Sequence, residues 1–332
     1  MKVLVIGGAG YIGSHVVQQL LHAGFDPWIL DNLSSGRREN IRDSKRFFLA
    51  DIMESEQLDE VFSQGWDAVV HLAAEKNAGE SMLLPEKYAR NNISGSIEVL
   101  NAMVRHEIPM IVFSSTAAVY GEPQYVPVDE KHPLEPENFY GYTKLQIEGL
   151  LNWYAKIHGI RYAALRYFNA AGYAADGSVP ALEKSPANLL PVLMETALGW
   201  REEVQIFGND FDTEDGTGIR DYVHVSDLAR AHVLSLRKLL ESPGESPGNI
   251  TVNLGSRRGI SVLQMLEAAR RITAHPIPAT IVARRPGDPA RVVASSDLAQ
   301  QLLGWEATES DLDSLVRSSW NIYRQQQSPP GQ

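Results

Sequence analysis

The sequence contains no cysteine, which excludes disulfide bridges, thiolate nucleophiles and cysteine-ligated zinc together. It has no apolar run approaching the ~20 residues of a membrane-spanning helix. An early apolar stretch, Val3 to Ile6, ends at Gly7 and Gly8 and reads as a strand, not as the apolar segment of a secretion signal. With no basic stretch ahead of it, the expected compartment is the cytoplasm and no membrane partner is expected. Positive charge is also short: 30 Lys and Arg against 41 Asp and Glu leave a formal net charge of −11, which argues against a nucleic-acid surface. A phosphorylated ligand stays open, because a few local arginines override a distant field. Metal-ligand spacing is missing as well. The nine histidines show no HExxH pattern, and His15, His71, His224 and His232 read as packing or hydrogen-bonding residues. The acidic run Asp210-Phe211-Asp212-Thr213-Glu214-Asp215 has the look of a calcium loop, but Asp215 fills the slot where such a loop needs glycine. No metal is expected.

What is present is alternation. Short apolar runs at Lys2–Ile6, Asp26–Leu30, Arg46–Leu49, Ala68–Leu72, Met110–Ser114 and Arg161–Tyr167 are separated by helical patterns at Tyr11–Ala23, Ser55–Ser63, Pro85–His106 and Tyr140–His158. Near-continuous apolar strands divided by helices predict an α/β fold with a doubly wound, Rossmann-type parallel sheet. From about Ala171 the alternation gives way to Gly/Pro-rich loops, which predicts a smaller, discontinuous C-terminal substrate lobe. The expected division is therefore residues 1–170 for the dinucleotide-binding part and mainly 171–332 for the second lobe. Returns to the first part are expected at about 218–254, where Asp221–Leu240 and Ile250–Leu254 rejoin the sheet. Ser242–Gly248 reads as a surface loop and Gln325–Gln332 as a frayed tail.

Directly after the first strand stands Gly7-Gly8-Ala9-Gly10-Tyr11-Ile12-Gly13. Glycines at this spacing let the backbone turn tightly and approach a pyrophosphate, whose charge then sits on the helix N-terminus. Asp31 ends the next strand about 20 residues on, where an acidic group suits the free ribose hydroxyls of NAD and repels the extra phosphate of NADP. NAD is the expected cofactor, held by Gly7, Gly10, Gly13 and Asp31.

Tyr140 and Lys144, four apart, share one face at the head of a helix. A free tyrosine ionises near ~10, so a nearby ammonium and a cationic nicotinamide are expected to bring it toward the working range. Ser114-Ser115-Thr116 ends a strand 24 residues earlier, at the sheet edge where open α/β folds bind ligands. A hydroxyl there can relay or orient the proton. With the glycine motif, these residues resemble the extended short-chain dehydrogenase/reductase superfamily. The resemblance implies a catalytic set of Tyr140, Lys144 and Thr116, all three also touching substrate or cofactor, with Ser114 beside the cofactor. Dehydratases and decarboxylases of that superfamily usually carry an acidic residue after the threonine. Here Ala117 and Ala118 follow, and alanines move no protons, so oxidation and reduction are equipped while elimination is not.

The similarity narrows further and runs from Met1 to about Trp320. GGAGYIGSH, LDNLSSG, AGES, FSSTAAVYG, LRYFNAAG and IFGNDFDTEDGTGIRDYVHVSDLARAH are similar to the UDP-glucose 4-epimerases. Matched residue by residue, the family's cofactor contacts fall on Tyr11, Ile12, Asp31, Asn32, Ser35, Asp51, Ile52, Leu72, Ala73, Ala74, Lys76, Asn91 and Phe168. Its substrate contacts fall on Asn169, Asn188, Leu189, Phe207, Arg220, Arg285 and Asp288. Asp51 is equally intelligible as a helix N-cap, and for Asn188 a plain N-cap is the lesser alternative. Arg220 and Arg285 offer the planar forks that grip a diphosphate, and Asp288 a carboxylate for the uridine ribose. Val292 falls where the family gates the sugar's C2 side, with Arg291 or Val293 chosen by a one-residue slip and plain packing in a strand the alternative for Val292. One stretch departs from the pattern: HLAAEKNAGES places Glu75 and Asn77 on either side of Lys76, which puts the lysine's role in doubt. The resemblance implies reversible 4-epimerisation of UDP-glucose and UDP-galactose through a transient 4-keto sugar, with tightly bound NAD and a homodimeric assembly. It leaves room for UDP-N-acetylhexosamines or a UDP-pentose as substrates, and for a catalytically silent NAD-sensing protein.

Overall fold

The computed structural model describes residues 1–332 except 185, 242–247, 286 and 330–332. Six parallel strands, β1 (Lys2–Ile6), β2 (Asp26–Asp31), β3 (Phe47–Leu49), β4 (Ala68–His71), β5 (Met110–Thr116) and β6 (Arg161–Tyr167), stand in the order 3-2-1-4-5-6. A seventh, Ile250–Leu254, pairs parallel to β6. The period of two along a strand divides the core. Val3 and Val5 of β1 face one hydrophobic cluster with Val16, Leu20, Leu228 and Leu236, whereas Leu4 and Ile6 face another with Leu58, Phe62, Val99 and Leu151. Both faces are therefore apolar and covered by helices, as a parallel sheet requires. The chain leaves β1 for β2 on one side and returns at β4 on the other, which opens a crevice at the carboxyl ends of these strands.

Beyond β6 a third cluster forms among the helices Leu189–Ala197, Val262–Thr273 and Leu312–Tyr323. Two small sheets border it. One pairs Ile219–His224 with Asn169–Ala171, Gly259–Ser261 and Arg291–Val292, and the other pairs Val204–Phe207 with Ala279–Val282. Among the described residues no helix is long and apolar enough to cross a membrane.

Two expectations about elements need correction. Pro85–His106 is not one helix: α-helical Pro85–Tyr88 and Gly95–Arg105 flank a widened π turn at Ala89–Ser94. In that turn the buried Asn92 carboxamide accepts from Glu75 N (2.8 Å) and donates to Glu75 O (2.9 Å) and the Thr143 hydroxyl (3.1 Å). A regular pattern cannot announce such a bulge, which tends to occur at functional sites. Asp221–Leu240 also divides. Its first residues finish a strand of the small sheet, and only the Val225–Glu241 helix returns to the main sheet, beside Tyr11–His22. Of the two expected irregular ends, Ser242–Pro247 and Pro330–Gln332 lie outside the described residues, while Gln326 is tied to Pro180 O at 3.2 Å.

Candidate active site

The glycine motif forms a turn with no space for a side chain. Gly7 has φ +82°, and a Cβ there would lie 2.7 Å from Ala73 N; a Cβ on Gly13 would lie 2.1 Å from Gly7 O. The Tyr11–His22 helix then starts with Gly10 as its N-cap and no side-chain bond to its first N–H groups, a site suited to an anion. These residues open a cleft of about 460 Å³ whose walls carry Gly7, Gly10, Tyr11, Ile12, Gly13, Asp31, Asn32, Ser35, Ile52, Leu72, Ala73, Ala74, Lys76, Asn91, Ser114, Tyr140 and Lys144. Asp31 is buried and accepts from Ala9 N (3.0 Å) and Leu33 N (2.8 Å). Burial raises its carboxyl above the ordinary value, and the two backbone bonds draw it back.

Two residues expected at the cofactor stand off the cleft wall. Phe168 is packed into the main core. Asp51 accepts from Asn32 Nδ2 (2.9 Å) and from Met53 N (2.9 Å), steadying the rim. It is not a helix cap either, because the Ser55–Phe62 helix begins after Glu54. Lys76 does line the cleft and pairs with Glu183. Its sequence neighbour Glu75 turns instead to Lys87 (3.2 Å), which also holds Glu80 (3.0 Å), so the carboxylate that competes for Lys76 comes from far along the chain.

At the cleft's inner end the Phe139–His158 helix is capped by Asn138, which accepts from Gly141 N at 2.9 Å, while Ser81 Oγ accepts from Tyr140 N at 3.0 Å. Lys144 is buried, and its Nζ donates to Ser114 O at 2.8 Å and lies 5.9 Å from the Tyr140 ring. Burial lowers the Lys144 ammonium to about 7. Burial also pushes the Tyr140 phenol up to about 12, an effect only partly offset by the Thr116 hydroxyl. Of the two charges expected to favour the phenolate, the lysine by itself does not overcome this burial. Thr116 ends β5 beside Tyr167 and accepts from Ala118 N at 3.2 Å.

A second, larger cleft of about 970 Å³ brings together Asn169, Asn188, Leu189, Phe207, Arg220, Arg285 and Asp288. Arg285 lies 3.7 Å over the Phe207 ring, a stacked guanidinium whose edges meet no hydrogen-bond partner among the described residues. Arg220 pairs with Asp288 and donates to Ile219 O at 2.8 Å. Asn188 stands at the N-cap of Leu189–Ala197 but makes no side-chain cap bond, leaving its amide to the cleft. Val292 is off this wall. It pairs in register with Arg220, and its half-buried side chain packs toward the main core.

Residues 3–255 match the NAD dependent epimerase/dehydratase family. The UDP-glucose 4-epimerase of Lacticaseibacillus casei is 46% identical over 322 residues, 97% of this chain and 96% of its own. The chain belongs to the UDP-glucose 4-epimerase family. The solved UDP-glucose 4-epimerase of Brucella ovis, in complex with NAD, superposes with a TM-score of 0.93 at 40% identity, covering 97% of this chain and 98% of its own. That of Bifidobacterium longum, in complex with NAD+ and UDP, gives 0.90 at 35% identity and covers 98% of each.

Within this epimerase scaffold some residues at the site carry no motif that announces them. Glu183 and Lys184 come from the second lobe; Glu183 reaches Lys76, and Lys184 Nζ donates to Leu33 O at 3.1 Å, just past Asp31. Asp221 is buried behind Arg220 and accepts from Ser256 N (2.6 Å), Arg257 N (3.1 Å) and Ala294 N (3.1 Å). Burial raises its carboxyl to about 6 despite those bonds. Asp215 accepts from Thr217 N at 2.9 Å and from the Thr217 and Ser261 hydroxyls, binding a turn together. His15, His71, His224 and His232 are buried and bonded within the protein, and burial lowers their imidazoles to about 4, 3, 4 and 4.

Proposed function

We propose that the protein inverts the C4 hydroxyl of a UDP-hexose, interconverting UDP-glucose and UDP-galactose with NAD as a retained cofactor. The observation that carries this reading is the nearness of the two clefts along the chain. Tyr167 lines the first beside Tyr140 and Lys144, and Asn169, two residues on, lines the second. The cofactor cleft fits a dinucleotide through its side-chain-free glycine turn, its uncapped helix start and the buried Asp31. When bound there, NAD supplies a hydride acceptor and donor, so the epimer forms without net oxidation. Tyr140 exchanges the proton of the sugar's 4-hydroxyl, Thr116 orients or relays it, and Lys144, fixed on Ser114 O, supports the charge. Arg285 and Arg220 hold the diphosphate, which leaves the hexose free to turn. Ala117 and Ala118 offer no acid for elimination, and the assembly of Thr116, Tyr140 and Lys144 gives a silent sensing role no support. The cytoplasm is the compartment proposed with this reading, since both ligands are charged and membrane-impermeant. Pure protein given UDP-galactose and no added NAD is expected to turn over, and to release stoichiometric dinucleotide when denatured. Stable but empty protein, active only with added NAD, is the contrary result.

A homodimer is proposed on the Phe139–His158 helix. Tyr142, Trp153 and Ile157 form one stripe on it, with Trp153 60% and Ile157 66% exposed. Adjacent large apolar side chains left to water mark an association surface, and two-fold dimers are the commonest assembly. Light scattering is expected to give twice the 36.7 kDa chain mass, and Trp153→Glu with Ile157→Glu to reduce it to a single chain. Wild-type protein at the single-chain mass refutes the assignment.

Substrate breadth is proposed from the size of Val292. Its backbone pairs with that of Arg220 on the cleft wall while its side chain turns toward the core, so what supports the role is the family resemblance and the smaller size of valine beside tyrosine. Interconversion of the UDP-N-acetylhexosamines is expected, with its loss in Val292→Tyr and plain-hexose turnover kept. No N-acetyl activity in the wild type, or no change in the variant, removes Val292 from this role.

A further inference from the structure

Beneath the catalytic strand lies a buried ion pair that the chemistry above does not use. Arg166 of β6 meets Glu148 through two parallel bonds, Nε to Oε1 at 2.9 Å and Nη2 to Oε2 at 2.6 Å, and both residues are buried. Ser115 Oγ donates to the same Oε1 at 2.5 Å. Arg166 Nη1 donates to the Tyr120 hydroxyl (2.8 Å), which donates onward to Asn253 Oδ1 (2.6 Å). The carboxylate beside it holds the Arg166 guanidinium above its ordinary value, against the opposing effect of burial.

The elements joined here are those that carry the site. Glu148 follows Lys144 by one helical turn and Tyr140 by two, on the same face of Phe139–His158. Ser115 stands between Ser114, whose carbonyl accepts from Lys144, and Thr116. Tyr120 closes the Ala117–Val119 turn that Thr116 opens. One carboxylate thus ties the catalytic helix to the catalytic strand at a point flanked by Ser114 and Thr116.

Stability does not require such a pair. Removing two charges from water is costly, and apolar replacement of a buried pair is often neutral or stabilising. What apolar packing lacks is direction. A bidentate pair fixes both the distance and the rotation of the helix against β6, which runs in register beside β5 and is joined to it at the same carboxylate by Ser115, and a misplacement of ~1 Å at a reacting group can cost on the order of 10²-fold in rate. We propose that Glu148 and Arg166 are positioning residues, which keep Tyr140 and Lys144 in register with Ser114 and Thr116. This rests on the epimerase reading above.

The test uses NAD-loaded Glu148→Met/Arg166→Met, in which both charges are gone and the volume is kept. The double variant is expected to fold and to melt no lower than Glu148→Met alone, which leaves the arginine buried without its partner. Its dinucleotide content and KM for UDP-galactose stay near wild type, while kcat falls by about 10-fold or more. A folded double variant with wild-type kcat overturns the proposal. Should the double variant not fold, Ser115→Ala decides. It cuts one bond of the clamp without stranding a charge, so the protein still folds, though it melts somewhat lower, and kcat should fall several-fold at unchanged KM and dinucleotide content; unchanged kcat overturns the proposal. Wild-type protein inert on UDP-galactose is a separate result, which sinks the functional reading instead.

Discussion

Tyr140→Phe is expected to lower kcat by about 10²–10⁴-fold, the range that a positioned acid–base group contributes, while UDP still binds. The phenol oxygen is the group at the inner end of the cofactor cleft placed to exchange a sugar hydroxyl proton, because Lys144 is committed to Ser114 O. The substitution keeps the ring and removes only its hydroxyl, and Tyr140 N remains bonded to Ser81, so the helix start is undisturbed. UDP binding, measured by calorimetry, depends on the other cleft and should be close to wild type. Thr116→Val should cost less if the hydroxyl only orients, and ~10²-fold if it relays the proton. Near-wild-type turnover in Tyr140→Phe rules out the assignment.

Gly13→Ala is expected to yield protein with almost no bound dinucleotide and correspondingly little turnover. The added methyl would stand 2.1 Å from Gly7 O and 2.8 Å from Gly8 Cα. Both neighbours are backbone, so relief comes only by opening the turn that forms the anion site. The rest of the fold has no need of that turn's shape: β1 stays paired with β2 and β4, and its apolar residues stay buried. Absorbance of the dinucleotide released on denaturation, alongside circular dichroism, separates the two effects. Full cofactor content in a folded Gly13→Ala protein contradicts the role given to the turn.

How much of this was legible in the sequence follows the range of the interactions. β1 and β6 fall on the expected residues, and the other four strands and the helices Tyr11–His22, Ser55–Phe62 and Phe139–His158 shift by a residue or two at their ends, because they are written in local apolar periodicity. The glycine turn and the spacing of Tyr140 and Lys144 are local too. The interruption of Pro85–His106 depends on Asn92 meeting Glu75 and Thr143, contacts that no period of 3.6 encodes. Lys76 with Glu183, and Arg220 with Asp288, join charges far apart in the chain. The phenol's ionisation follows range in the same way, since burial from all sides acts on it as well as the residue one turn away. Val292 sits at its expected chain position, yet the short strand Arg291–Val292 turns it toward the core.

The seventh strand also bears on how the chain reaches its folded state. Ile250 lies beside Ala163 and Leu254 beside Tyr167, so β6 waits for its neighbour until much of the second lobe and the Val225–Glu241 helix have been made. During synthesis the ribosome therefore releases the glycine motif, Tyr140, Lys144 and β6 well before β6 can gain its outer neighbour, and loop closure over such a separation is slow. In the interval β6 presents a bare row of backbone donors and acceptors, a template for pairing with another nascent chain. A fragment ending near residue 170 would keep every residue of the cofactor turn and remain in that unfinished, self-adhesive condition.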